Sequence, residues 1–211
     1  MVKKKIKIAV ASDTHGCHRR INIPECDIFV YCGDAGITSY KKLEDFNDWL
    51  ENLPVKHVIF IAGNHDIYLE EIGKENAKML LSNAIYLENE GVQIEGIKFW
   101  GSPYSLEFNG WSFMKDENGL KQIWDLIPKK TDFLITHGPA FGNLDRVGWK
   151  NQGSQSLRYK IDEIKPKYHL SGHIHEEYRV IKTSHITHIN ASILNERYEL
   201  INEPIEFYYE K

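Results

Sequence analysis

Short apolar runs separated by polar, glycine-containing breaks dominate the first third of this chain. Residues 6–11 (Ile-Lys-Ile-Ala-Val-Ala), 28–32 (Ile-Phe-Val-Tyr-Cys) and 57–62 (His-Val-Ile-Phe-Ile-Ala) are short and rich in β-branched and aromatic side chains, which predicts three strands. The third is almost continuously apolar, as a sheet covered on both faces requires. From Tyr40 through Leu43, Phe46, Trp49 and Leu50 to Leu53, apolar residues recur at three- and four-residue steps. That spacing predicts an amphipathic helix over 39–52, stopped near Pro54.

Further on, 70–82 reads as helical. Residues 85–87, 92–94 and 97–101 read as short strands around Asn-Glu-Gly and Glu-Gly turns, a meander or hairpins in an antiparallel part of a mixed sheet. A helix is predicted over 120–127, closed by Pro128, then a core strand over 132–135. Residues 138–153 lack periodicity and read as a long, substrate-facing loop. A helix over 156–164 and strands near 168–171, 178–182, 185–190 and 205–209 complete an α/β pattern with central strands and outer helices.

Length and composition narrow this picture. A chain of 211 residues with 42% hydrophobic and 27% charged residues fits one domain, 1–211, with a sizeable core. No apolar stretch approaches membrane-spanning length, and the run at 8–11 is too short for a secretory leader. The lysines at 3–5 read as a solvated lead-in to the first strand. Cys17, Cys26 and Cys32 have no CxxC spacing, which points to a reducing, cytoplasmic compartment. A net charge of −4 argues against extended nucleic-acid binding but not against a small phosphate ester.

The chemistry lies in five clusters: Asp13-Thr14-His15, Gly33-Asp34, Gly63-Asn64-His65-Asp66, Thr136-His137-Gly138 and Gly172-His173-Ile174-His175. Each follows a predicted strand, and the C-terminal edge of a parallel sheet is where ligands gather. Asp13 and His15 lie two residues apart, so in extended backbone they share a side. Asp34 offers two oxygens and could bridge two cations; Asn64 adds an amide oxygen, and His137, His173 and His175 add imidazoles. This mixture suits Mn, Fe or Zn better than Ca or Mg alone. Two such ions can activate a bridging water and clamp the oxygens of a phosphoryl displacement. His65 remains as a candidate general acid, with Asp66 beside it as a carboxylate that could orient it. Any one cluster alone reads as turn or core chemistry; the five together, in order, do not.

These clusters resemble the calcineurin-like metallophosphoesterase superfamily from Asp13 to His175. Residues Phe46-Asn47-Asp48-Trp49-Leu50, Asn52-Leu53-Pro54, Phe108-Asn109-Gly110-Trp111 and Ile189-Asn190-Ala191-Ser192 further resemble the metallophosphoesterase-domain-containing branch of class III cyclic nucleotide phosphodiesterases. The resemblance implies a four-layer α-β-β-α sandwich with mixed sheets. It also implies two divalent ions, Mn foremost with Fe, Zn or Mg as alternatives. Asp13, His15, Asp34 and His175 would hold the first, and Asp34, Asn64, His137 and His173 the second. His65 would protonate the leaving oxygen or stabilise the charge on it. The chain keeps His173, where some members of the branch carry glycine. It departs from the Gly-Asp-x-x-Asp/Asn form at Ala35-Gly36-Ile37, and Pro139-Ala140 stands where Pro-Pro is common.

The reading is therefore a metal-dependent phosphodiesterase acting on nucleotide-type or cyclic nucleotide diesters, with attack by a hydroxide that bridges the ions. Phosphomonoester hydrolysis, a catalytically silent interaction module and cleavage of short RNA or DNA are the alternatives. His18, His57, His169, His185 and His188 match no ligand position. Asn109, Trp111 and Arg146 are further candidates for a substrate-facing rim, against plainer readings as core packing and solvated charge.

Overall fold

The computed structural model describes residues 4–210, so Lys3 of the N-terminal lysine run lies outside it. The chain begins with β1 (Lys5–Ala11), β2 (Cys26–Cys32), α1 (Tyr40–Glu51) and β3 (Val55–Ile61). Two short helices follow, α2 (Ile67–Ile72) and α3 (Lys74–Leu80), then β4 (Ile85–Tyr86), β5 (Glu90–Ile94) and β6 (Ile97–Ser102). The middle comprises β7 (Ser105–Leu106), β8 (Met114–Lys115), α4 (Glu117–Trp124), β9 (Phe133–Thr136), β10 (Arg146–Val147) and β11 (Lys150–Asn151). The last part runs α5 (Gln155–Ile164), β12 (Tyr168–Ser171), β13 (Arg179–Lys182), β14 (Thr187–Asn190) and β15 (Ile205–Glu210).

Side-chain alternation explains the layers. In β1, Ile6, Ile8 and Val10 face one way and Ala9 and Ala11 the other; in β2, Ile28, Val30 and Cys32 oppose Phe29 and Tyr31. Both faces are buried, so each sheet carries a core on either side. The first sheet has the order β15-β1-β2-β3-β4 and the second β13-β14-β12-β9-β6-β5. Their inner faces meet through Ile8, Val30 and Ile59 against Phe99, Phe133 and Leu170. The first sheet's outer face packs on α1 through Leu43, Phe46 and Leu50. The second sheet's outer face packs Trp100 and Leu134 on Leu120 and Trp124 of α4 and Leu157 and Ile161 of α5. This is the α-β-β-α sandwich.

Local signals explain most element ends. The side chain of Ser39 accepts the amide of Lys42 at the start of α1, and Ser154 caps α5 by accepting the amide of Leu157. Asp116 caps α4, which therefore starts before the predicted 120. The helical stretch expected over 70–82 is two helices, because Gly73 between them adopts a φ of 77°, a positive-φ conformation open to glycine that ends one helix and starts the next. The three short strands expected to form a meander or hairpins are divided between the sheets. Antiparallel β5 and β6 form a hairpin in the second sheet, whereas β4 pairs in parallel with β3 in the first. Residues 138–153 contain the hairpin β10–β11, wrapped on the buried carboxylate of Asp145, which accepts the amides of Gly142 and Gly153 at 3.0 Å each.

Strand direction places the site. Strands β1, β2 and β3 are mutually parallel, as are β6, β9, β12 and β14. Their C-terminal ends share one rim, joined by a bridge between Ser12 and Ser192 and by the amide of Gly172 donating to the His137 carbonyl at 3.0 Å.

Candidate metal centre

All five clusters converge at that rim. Donor atoms of Asp13, His15 and His175 lie within 4.8 Å of one another, as do those of Asp34, His137 and His173, and those of His15, Asp34 and His65. Asp34 Oδ2 is 3.3 Å from His137 Nε2 and 3.7 Å from His15 Nε2, while Oδ1 accepts the His65 amide at 2.7 Å. One carboxylate thus joins the two sides of the centre. Asn64 Oδ1 lies 2.9 Å from His137 Nε2.

The surroundings orient these groups. His137 Nδ1–H donates to the Cys32 carbonyl at 2.9 Å, and His175 Nδ1–H to the Asn195 carbonyl at 2.9 Å. Each bond fixes the tautomer and turns a bare Nε2 inward. Asp13 accepts the His173 amide through both oxygens, at 3.1 and 3.0 Å, and the Ser192 hydroxyl at 2.9 Å. Asp13, His15, Asp34 and His173 have φ values of 57°, 44°, 58° and 66°. Left-handed backbone costs about 1–2 kcal/mol at a residue with a side chain, so the surrounding bonds hold these turns against local preference. Gly63 permits the close approach of the loops, since a Cβ there would stand 2.3 Å from Asp34 Oδ1 and 2.7 Å from His137 Cε1.

The donor set fits divalent ions. His137 Nε2 faces two acceptor oxygens, and His15 Nε2 faces His175 Nε2 at 3.3 Å, so lone pairs meet unless a proton or a cation lies between them. Without a cation, protons take that place. Burial opposes charge on His137, but Asp34 outweighs it and lifts the imidazole to about 9. Burial likewise opposes charge on His175, and its bond to Asp13 lifts it to about 9. Burial, with the neighbouring His137 charge, lowers His173 to about 4.

Asp66 corrects the expectation that it orients His65. Its buried carboxylate turns away and accepts the amides of Gly36 at 2.8 Å, Ile37 at 2.9 Å, Gly63 at 2.8 Å and Ala35 at 3.3 Å. It ties the loop after Asp34 to the turn that carries Asn64 and His65. This supplies the support that Ala35-Gly36-Ile37 cannot provide from their own side chains.

A cavity of about 380 Å³ opens over the centre. Among its lining residues are His65, Phe108, Asn109, Trp111, Val147 and Tyr198. Asn109 and Trp111 therefore reach the rim, whereas Arg146 is not among the lining residues and its neighbour Val147 is. The unassigned histidines line none of it; His18, for example, packs edge-on against Phe46, 5.3 Å between ring centres. Sequence reading missed Asn195 and Tyr198 and gave Ser192 no role. Only Ile189-Asn190-Ala191-Ser192 flagged that region, and without a role.

A four-layer sandwich with histidine, aspartate and asparagine donors on its shared strand-end rim defines a divalent-metal phosphoesterase. The family model described as calcineurin-like phosphoesterase matches residues 6–177, and the chain belongs to that family. It is 35% identical over 228 residues to Metallophosphoesterase domain-containing protein 1 of Homo sapiens, covering 94% of this chain and 69% of that protein. It is 31% identical over 223 residues to UPF0046 protein K07C11.7 of Caenorhabditis elegans, covering 98% of this chain and 76% of that one. The crystal structure of phosphopantetheinyl hydrolase (PptH) from Mycobacterium tuberculosis matches with a TM-score of 0.62 at 13% identity, covering 91% of this chain and 90% of that one, a likeness of fold. Among the described residues, no helix is long and apolar enough to cross a membrane.

Proposed function

We propose that this phosphoesterase is a phosphodiesterase acting on nucleotide-type diesters, cyclic nucleotides included, with two divalent ions, Mn foremost. Asp13, His15, Asp34 and His175 would hold one ion, and Asp34, Asn64, His137 and His173 the other. The observation that carries this reading is the position of Asp34 Oδ2 between His15 and His137. Ions bound there would supply Lewis acidity and an activated water.

The chain's own groups account for the rest. His65, half-buried beside His15 and Asp34, gives a proton to the leaving oxygen as the phosphorus–oxygen bond breaks and its electron pair passes to that oxygen. Water contributes the new oxygen on phosphorus and loses its proton to solvent, from which His65 is reprotonated. The lining includes no lysine or arginine among the described residues and does include Glu176 and Glu196, which favours a monoanionic diester over a dianionic monoester. Phe108 and Tyr198 offer flat apolar faces for a base.

The test compares bis(4-nitrophenyl) phosphate with 4-nitrophenyl phosphate on Mn-loaded protein. The diester is expected to turn over faster, and Asp34→Ala is expected to cut that turnover by about a thousandfold or more, several kcal/mol of transition-state stabilisation. Faster monoester turnover would replace the diesterase reading with a phosphomonoesterase. An Asp34→Ala variant with undiminished activity would sink the site assignment.

A further inference from the structure

With the Asp66 carboxylate committed to backbone amides, the ring of His65 must be held by something else. Its neighbours are aromatic. The His65 ring centre lies 4.7 Å from that of His15, edge-on at 79°, and 4.2 Å from that of Trp111, tilted by 44°. From the geometry we infer that Trp111 is the positioning residue for His65, closing one face of the imidazole so that its proton is delivered to the leaving oxygen. This inference rests on the reading of His65 as the proton donor.

The wall that carries Trp111 is built to hold such a contact. Strands β7 and β8 pair on either side of it, and the left-handed residues Asn109 (φ 54°) and Gly110 (φ 67°) turn the chain just before it. Two residues later Phe113 is buried at 1% exposure and stacks edge-on against Tyr104, with ring centres 5.7 Å apart. The amide of Phe113 donates to Glu70 Oε1 at 3.0 Å, and the amide of Ser105 to the Phe113 carbonyl at 3.0 Å. Glu70 belongs to α2, which begins two residues after His65. One short helix therefore sets both sides of the contact: it follows His65 directly and grips the Trp111 segment through Glu70. Trp111 itself is 41% exposed, so its outer face carries little of the core.

Positioning of a proton donor has a signature that a merely apolar wall lacks. A donor matters little when the leaving group departs readily as an anion and a great deal when it does not. The experiment uses the Mn-loaded full chain and methyl aryl phosphodiesters whose leaving groups run from 4-nitrophenol to phenol. Trp111→Ala is expected to lower kcat only a few-fold with 4-nitrophenol but by about tenfold or more with phenol, with Trp111→Phe restoring most of the loss. His65→Ala is expected to show the same dependence more steeply, and Trp111→Ala added to His65→Ala to steepen it no further.

A Trp111→Ala loss equal for every leaving group and confined to KM would make Trp111 a substrate wall and overturn the inference. If that uniform loss accompanies a leaving-group-dependent His65→Ala, the donor reading survives and only the role of Trp111 fails. If His65→Ala is itself uniform across the series, the donor reading falls, and the role of Trp111 with it.

Discussion

Asp66 Oδ1 accepts the amide of Gly36 at 2.8 Å across 30 residues of sequence, and through it the loop bearing Asp34 is fixed to the loop bearing Asn64 and His65. The same carboxylate also takes the amides of Ala35, Ile37 and Gly63. Burial and the nearby Asp34 charge raise Asp66 to about 7 despite those amides, so its ionised form is bought with the loop geometry. Replacing it touches metal binding through the backbone.

Asp66→Ala leaves these buried donors without an acceptor, at about 1–3 kcal/mol for each that stays unsatisfied. A destabilisation of about 4 kcal/mol or more is expected, read from the denaturant midpoint, with weaker Mn binding by calorimetry. Asp66→Asn, which keeps one acceptor oxygen, should fall between parent and alanine. A variant that loses turnover while keeping both stability and metal affinity would return Asp66 to a direct role in the chemistry.

Gly63→Ala tests the close packing of the two loops. The added methyl carbon would lie 2.3 Å from Asp34 Oδ1, so the carboxylate shared by both sides of the centre must move. Metal affinity is expected to drop by about tenfold or more while far-UV dichroism stays that of the parent. Parent-like Mn affinity in this variant would show that Asp34 has room the geometry denies it.

A pH dependence of stability should arise away from the centre, at His169 and His188. The Thr136 hydroxyl donates to the Gly138 carbonyl and so accepts from His169 Nε2–H at 2.9 Å. His169 Nδ1 is then left to accept from His188 Nδ1–H at 3.3 Å, which keeps both rings neutral. Burial, with each other's proximity, lowers His169 well below 6.5; burial, with Arg158 nearby, lowers His188 to about 4. Unfolded histidine takes its proton near 6.5, so acid favours the unfolded chain. The contribution is complete above 6.5 and is lost as pH falls towards 4. The denaturant midpoint should therefore fall from about pH 7 to about pH 5, and His188→Gln should flatten that slope. An unchanged slope in His188→Gln would place the acid sensitivity elsewhere.

Much of the molecule is legible in one dimension because the signals are local. The alternation in β1 and β2 and the three-and-four spacing of α1 depend only on neighbouring residues, and the structure realises them within a residue or two. The ligand clusters follow from the same logic, since a turn at a strand end carries its side chains to the sheet edge whichever strands lie beside it. Where two signals competed, local reading erred: Gly73 divides one apparent helix, and β4 leaves its neighbours for a partner in the other sheet.

What the sequence by itself determined was therefore the set of strands, the donor residues and their order along the chain. The tertiary structure decided how those donors face one another and what holds them. Asp66 follows His65 directly, yet its carboxylate turns to amides of 35–37, because buried backbone donors must be satisfied and this was the acceptor within reach. Tyr198 carries no motif of its own, and it meets Trp111 over one cavity only because two sheets pack face to face and close their loops over one rim. Periodicity records which way a side chain leaves its own element, while the partner it meets depends on chain that is distant in sequence and adjacent only after packing.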